Sequence, residues 1–204
     1  MKYLLTLGIA ATFAGVASAQ TLLSPNPANN GSGGIYFDVT PVGLALDMTG
    51  FDVAFTGTVG TAVSLEVWTR PGSYVGFEAS SAGWTLSATA TAVRGGTAVF
   101  VPLVMSNDVA VAAGGTTGFL LHCITSGGGV RYGGTTAAPA ITAWGNADMN
   151  VFSAHSRTGN IPFGTTITPR AFAGSMHYEV VPEPGTFVAI GIGLAGLALA
   201  RRRK

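Results

Sequence analysis

Gly50-Phe51-Asp52-Val53-Ala54-Phe55-Thr56, followed by Val63-Ser64-Leu65-Glu66-Val67-Trp68, decides how this chain is to be read. Phe51, Val53 and Phe55 alternate with Asp52, Ala54 and Thr56, and Val63, Leu65 and Val67 alternate with Ser64, Glu66 and Trp68. A period of two sends alternate side chains to opposite faces of an extended backbone, so both stretches read as strands with one buried face. The same pattern predicts strands over residues 84–92, 97–104, 116–124, 149–155 and 171–180. Turns between them are supplied by Pro71-Gly72, Gly95-Gly96, Gly114-Gly115, Gly127-Gly128-Gly129 and Gly133-Gly134. Short strands separated by turn signals, with no helical period outside the termini and no internal repeat, predict an all-β fold. Its expected form is an antiparallel β-sandwich of jelly-roll type. The domain is expected over residues 35–181, with 159–164 as a loop before the last strand and 20–34 as a flexible leader.

Composition agrees with that class. Only 9% of residues are charged, there are 30 glycines, and no lysine lies between Lys2 and Lys204. A turn-rich β domain uses Gly as punctuation in this way. Between Gln20 and Val181 five Arg stand against five Asp and three Glu, a net charge of −3. Such a surface repels phosphate backbones, so no nucleic-acid partner is expected.

Both ends carry signals of another kind. Lys2 precedes an apolar run from Tyr3 to Val16, and Ala17-Ser18-Ala19 follows. A positive end, a short apolar stretch and small residues at Ala17 and Ala19 make a secretory signal peptide over residues 1–19, read as a signal helix cut by signal peptidase to leave Gln20 first. At the other end Val181-Pro182-Glu183-Pro184-Gly185 leads into an uncharged run from Thr186 to Ala200, and Arg201-Arg202-Arg203-Lys204 closes the chain. As a helix, residues 185–200 rise about 24 Å, a little short of a ~30 Å hydrocarbon core that snorkelling arginines help to bridge. The basic tail 201–204 sets orientation, inside for the arginines and outside for the domain.

Pro182, Glu183 and Pro184, an apolar Gly-rich helix, and the Arg201, Arg202, Arg203 cluster together resemble the PEP-CTERM sorting signal of exported Gram-negative proteins. The resemblance covers residues 182–204. It implies an exosortase-type processing enzyme as a partner, the inner membrane as an intermediate station, and delivery to the cell envelope or an extracellular matrix, with extracellular polysaccharide as a further possible partner. A simple tail anchor is the alternative, since Gly191, Gly193 and Gly196 also suit helix packing. A looser resemblance runs through Gly50-Phe51-Asp52-Val53, Val67-Trp68-Thr69-Arg70-Pro71-Gly72-Ser73-Tyr74-Val75-Gly76-Phe77-Glu78, Pro162-Phe163-Gly164 and Pro169-Arg170. It is to a β-sandwich module of other proteins that bear such tails, and it implies fold rather than activity.

Catalytic chemistry is thin in this sequence, and no catalytic residue, cofactor or metal is expected. His122, His155 and His177 fall in predicted strands without the short spacing common in zinc sites. Cys123 shares a strand face with Phe119 and Leu121 and reads as a small buried apolar residue. Glu66 and Glu78 read as solvated acids rather than as the paired carboxylates of a glycosidase. Asp38, Asp47, Asp52, Asp108 and Asp148 lack the Asp-rich loop of a known calcium motif. The chain is therefore not expected to be an enzyme. A structural or interaction role is expected first, a carbohydrate- or surface-binding module second, and a hydrolase last. For the second reading Trp68, Tyr74, Phe77 and Trp84 are the candidate ligand-stacking residues, against the view that they plug the open end of a sandwich.

Overall fold

A computed structural model of the chain describes residues 18–182, and its regular elements there are all strands. In chain order they are β1 (Ala19–Leu23), β2 (Asn30–Ser32), β3 (Gly34–Pro41), β4 (Ala45–Val53), β5 (Phe55–Thr56) and β6 (Ala62–Pro71). Then come β7 (Thr85–Val93), β8 (Val101–Pro102), β9 (Val104–Met105), β10 (Val109–Val111), β11 (Thr117–Cys123) and β12 (Gly129–Gly133). The last six are β13 (Ala143–Gly145), β14 (Met149–Phe152), β15 (Ser156–Arg157), β16 (Thr166–Ile167), β17 (Ala171–Phe172) and β18 (Ser175–Val181). The expected signal helix over 1–17 and tail helix over 185–200 lie outside the described residues, and no helix among the described residues is long and apolar enough to cross a membrane.

The ladders are antiparallel. One sheet runs β1-β18-β4-β10, a second runs β13-β14-β3-β11-β6-β7-β9, and a third, smaller one runs β17-β12-β2 with β5 beside β12. The first two sheets share one core. Phe37 of β3 lies 5.7 Å from Phe51 of β4 and stacks on Phe119 of β11 at 5.1 Å, and Phe172 of β17 closes the group 5.2 Å from Phe37. Met48, Val53, Leu65, Val67 and Met176 fill the space around them. Each fully buried side chain of this size contributes roughly 1.5–3 kcal/mol relative to exposure.

β4 shows how a break in period is absorbed. Leu46 and Met48 point inward, and so do Phe51 and Val53, which are three residues further on rather than two. Against β18, His177 faces Gly50 and Tyr178 faces Met48, so Thr49 is the unpaired extra residue of a β-bulge. The bulge restores the inward face after the slip, which keeps Asp47 and Asp52 on the outer side.

Several expectations need correction. The leader 20–34 is not loose: β1 pairs with β18 from Ala19 opposite Glu179 to Leu23 opposite Ser175, Leu22 is buried, and β2 pairs with β12. An edge strand needs a partner for its backbone more than a long apolar pattern, so Gln20-Thr21-Leu22-Leu23 carries little signal of its own. The expected strand over 97–104 is interrupted, because Val101–Pro102 pairs with β4 and Val104–Met105 with β7, in different sheets. The strand over 149–155 stops at Phe152, and that over 171–180 breaks at Gly174. Gly174 has φ +136°, and a Cβ there would meet the Asp52 carbonyl oxygen at 2.0 Å.

Candidate functional site

β3 and β11 are buried on both faces, which decides the fate of the aromatic residues nominated from the sequence. Ile35, Phe37 and Val39 face the main core, while Tyr36 and Leu120 face the other way and meet Tyr74, Trp84, Phe163 and Trp68 in a satellite core. The segment 72–84 folds back over this outer face. Asp38 holds it down: Ser73 Oγ donates to Asp38 Oδ2 at 2.5 Å and the Tyr74 amide to Oδ1 at 2.9 Å. Burial pushes the Asp38 carboxyl above its ordinary value, and these bonds together with nearby Arg70 hold back the rise.

Tyr74 is fully buried, stacks on Tyr36 with centroids 5.5 Å apart, and accepts the Ala154 amide at 2.8 Å. Trp84 donates its indole N–H to the Phe77 carbonyl at 2.9 Å and lies 5.4 Å from Phe163. Trp68 does alternate away from the main core, but its ring is edge-on to Phe163 at 5.2 Å and its N–H goes to Glu66 at 2.8 Å. Phe77 alone of the four is well exposed, at 47%, and the Arg70 guanidinium sits 3.4 Å from its ring centre. Tyr74 and Trp84 are thus buried in the satellite core, and the half-buried Trp68 packs against it. This is the plugging role set beside ligand stacking in the sequence; period two reports which side of its own sheet a residue takes, not whether a loop covers that side.

The titratable groups are likewise engaged. Glu78 Oε1 meets His155 Nδ1 at 2.5 Å, and its backbone oxygen accepts from the Tyr36 hydroxyl and the Gly164 amide. His155 lies just before β15 rather than within a strand. His122 is fully buried in β11 with Nε2 3.2 Å from the Gly159 oxygen, and burial draws its pKa below the ordinary 6.5. Cys123 is buried and unpaired, and burial pushes its thiol up, away from nucleophilic character.

The sequence reading missed a chain of contacts on the outer face of the first sheet. Thr21 Oγ1 lies 3.0 Å from His177 Nδ1, and His177 Nε2 lies 3.0 Å from Asp52 Oδ2. These residues come from three adjacent strands, β1, β18 and β4, and Gly50 leaves room beside the imidazole. Hydroxyl, imidazole and carboxylate in that order are the groups of a nucleophilic relay. Here they sit on an open sheet face and tie the edge strand β1 to its neighbours. The signal is invisible in sequence because the residues are 31 and 125 positions apart. Elsewhere an open groove of 620 Å³ lies over β13 and β14, where Asn150 pairs with Thr40 and the exposed Phe152 stacks on Tyr74 at 6.1 Å.

Pro182 is half-buried and is the last described residue, directly after β18; Ala19 and Gln20 open β1. Ala17, Glu183, Pro184, Arg201, Arg202 and Arg203 lie outside the described residues. A family description, the PEP-CTERM protein-sorting motif, matches residues 180–204. No curated protein matches the chain. That motif indicates export through an exosortase system to the cell envelope or beyond. The chain thus carries a PEP-CTERM protein-sorting motif, residues 180–204, on a β-rich ectodomain.

Proposed function

We propose that the ectodomain is a structural or interaction protein of the cell envelope or extracellular matrix, a sandwich of jelly-roll type with no enzymatic activity. The observation that carries this reading is the continuity of β18 with the sorting motif: Val180 and Val181 belong to both. In this proposal the chain enters by a signal peptide cut after Ala19 and is held by a membrane helix over 185–200. An exosortase then cuts near Pro182-Glu183-Pro184, where two prolines keep the backbone extended and poor in donors. Engagement of Glu78 with His155 and of His177 with Asp52 in contacts that hold loops and strands together supports a role without chemistry.

Mass spectrometry of protein released from the native host tests the pathway. The expected species begins at Gln20 and lacks the segment from about Gly185 to Lys204. An intact Arg203-Lys204 end would replace sorting by a plain tail anchor.

A carbohydrate-binding reading is favoured at one place, the groove with Phe152, Asn150 and Thr40, since sugars use one exposed ring face and nearby amides and hydroxyls. Extracellular polysaccharide binding lost in Phe152→Ala and kept in Trp68→Ala would support it. A hydrolase stands last.

A further inference from the structure

The turn between β3 and β4 has the usual Pro41 and Gly43, the latter at φ +101°, but pairs them with exposed aliphatic side chains. Pro41-Val42-Gly43-Leu44-Ala45 contains no polar side chain, yet Val42 is 50% and Leu44 38% exposed. Turn tips favour Gly, Asn, Asp, Ser and Pro, because a backbone that reverses in water gains from polar neighbours. Two exposed branched aliphatic residues around that Gly add apolar surface where polar side chains are usual. The turn is pinned from one side, with the Val42 amide donating to the Asp148 carbonyl at 2.7 Å, and Leu46 and Val180 lie just behind it. It is an apolar tip held from one side.

Its place in the fold matters more. Ala45 pairs with Val181, so the tip projects past the level at which β18 ends, by two residues or about 7 Å of extended chain. The strand order puts the other chain end here too, since Ala19 pairs with Glu179 and Ser18 precedes it. Both directions in which the chain leaves the domain, before Ala19 and after Val181, thus belong to the end that carries Val42 and Leu44. From Val181 to Thr186, the first residue of the uncharged run, there are five steps, at most about 18 Å of extended backbone. A headgroup layer is about 5–8 Å thick on each side of the hydrocarbon. A spacer of that length keeps Val181 within about 18 Å of the start of the uncharged run.

From this we infer that Val42 and Leu44 form a membrane-contacting tip that touches the lipid surface while the precursor is tethered. This rests on the reading of residues 185–200 as a membrane helix. After the tail is removed, the contact is too small to hold the domain, because two half-exposed aliphatic side chains are far less than the two signals that stable anchoring takes. Release then follows from the cut itself.

The test uses the full chain in vesicles of phosphatidylethanolamine and phosphatidylglycerol that contain lipids with a spin-label quencher near the headgroup. Leu44→Cys and, as a reference, Val59→Cys are each labelled with an environment-sensitive fluorophore; Cys123 is fully buried and stays unlabelled in the folded protein. Val59 is 63% exposed and follows β5, at the far end of β4 from Leu44, about 26 Å away along that strand. The expected result is a blue-shifted, strongly quenched probe at position 44 and an unshifted, unquenched probe at 59. Equal quenching at both positions, or none at 44 in protein that floats with the vesicles, overturns the inference. Failure of the protein to float at all overturns the membrane-helix reading, and the tip with it.

Discussion

Tyr74 separates packing from ligand binding, because its whole side chain is buried between Tyr36, His155 and Phe152 while it sits in the segment that sequence alone would assign to a binding loop. Tyr74→Ala removes a ring with no exposed surface, and large-to-small changes of that kind cost about 3–5 kcal/mol. Tyr74→Phe keeps the ring but strips the acceptor from the Ala154 amide, which costs about 1–3 kcal/mol for an unsatisfied buried donor. Phe77→Ala should cost about 1 kcal/mol or less, since that ring is half in water and its main partner is a single cation–π contact with Arg70. Urea denaturation of residues 20–181 measures all three. With a slope near 2 kcal/mol/M, Tyr74→Ala should move the midpoint by about 2 M, Tyr74→Phe by about 1 M, and Phe77→Ala by less than about 0.5 M. A midpoint for Tyr74→Ala within experimental scatter of the parent would refute the satellite core and return Tyr74 to the surface.

His122 gives a pH test. Its folded pKa lies below 6.5, so as pH falls through that value the unfolded chain takes up a proton first; stability is full above 6.5 and is lost toward acid until the folded pKa is reached. Urea midpoints at about pH 8 and about pH 5 should therefore fall further in the parent than in His122→Gln. His177→Ala should free β1, seen as faster amide exchange at residues 20–23 with β11 unchanged; protection kept at β1 would show the Thr21–His177–Asp52 contacts to be idle. Gly174→Ala should cost at least about 2 kcal/mol, because its positive φ disfavours a side chain and an added Cβ would collide with the Asp52 carbonyl oxygen. In the native host, Arg201 to Arg203 changed to Ser should let uncut protein reach the periplasm, and Glu183→Ala should leave uncut precursor in the membrane, both read by fractionation and immunoblot.

Much of this protein was legible in one dimension. Alternation at Phe51, Val53 and Val63, Leu65, Val67 placed β4 and β6 because burial of one sheet face writes a period of two directly into the chain. The sorting motif was legible for a different reason: translocation machinery and bilayer read a segment locally, so apolar length, charge and Pro-Glu-Pro need no folded partner to have meaning. The rest depended on distant residues. β3 and β11 lack alternation since both their faces are covered, one by the other sheet and one by the segment 72–84. β1 is a strand only because β18 offers it a ladder across more than 150 residues. Whether Trp68, Tyr74 and Trp84 meet sugar or each other, and whether Val42 and Leu44 lie beside the exit of the tail, are questions of what comes near through space. Side-chain chemistry is carried by the sequence, but its surroundings, and hence its burial, its charge state and its use, are set by the tertiary fold.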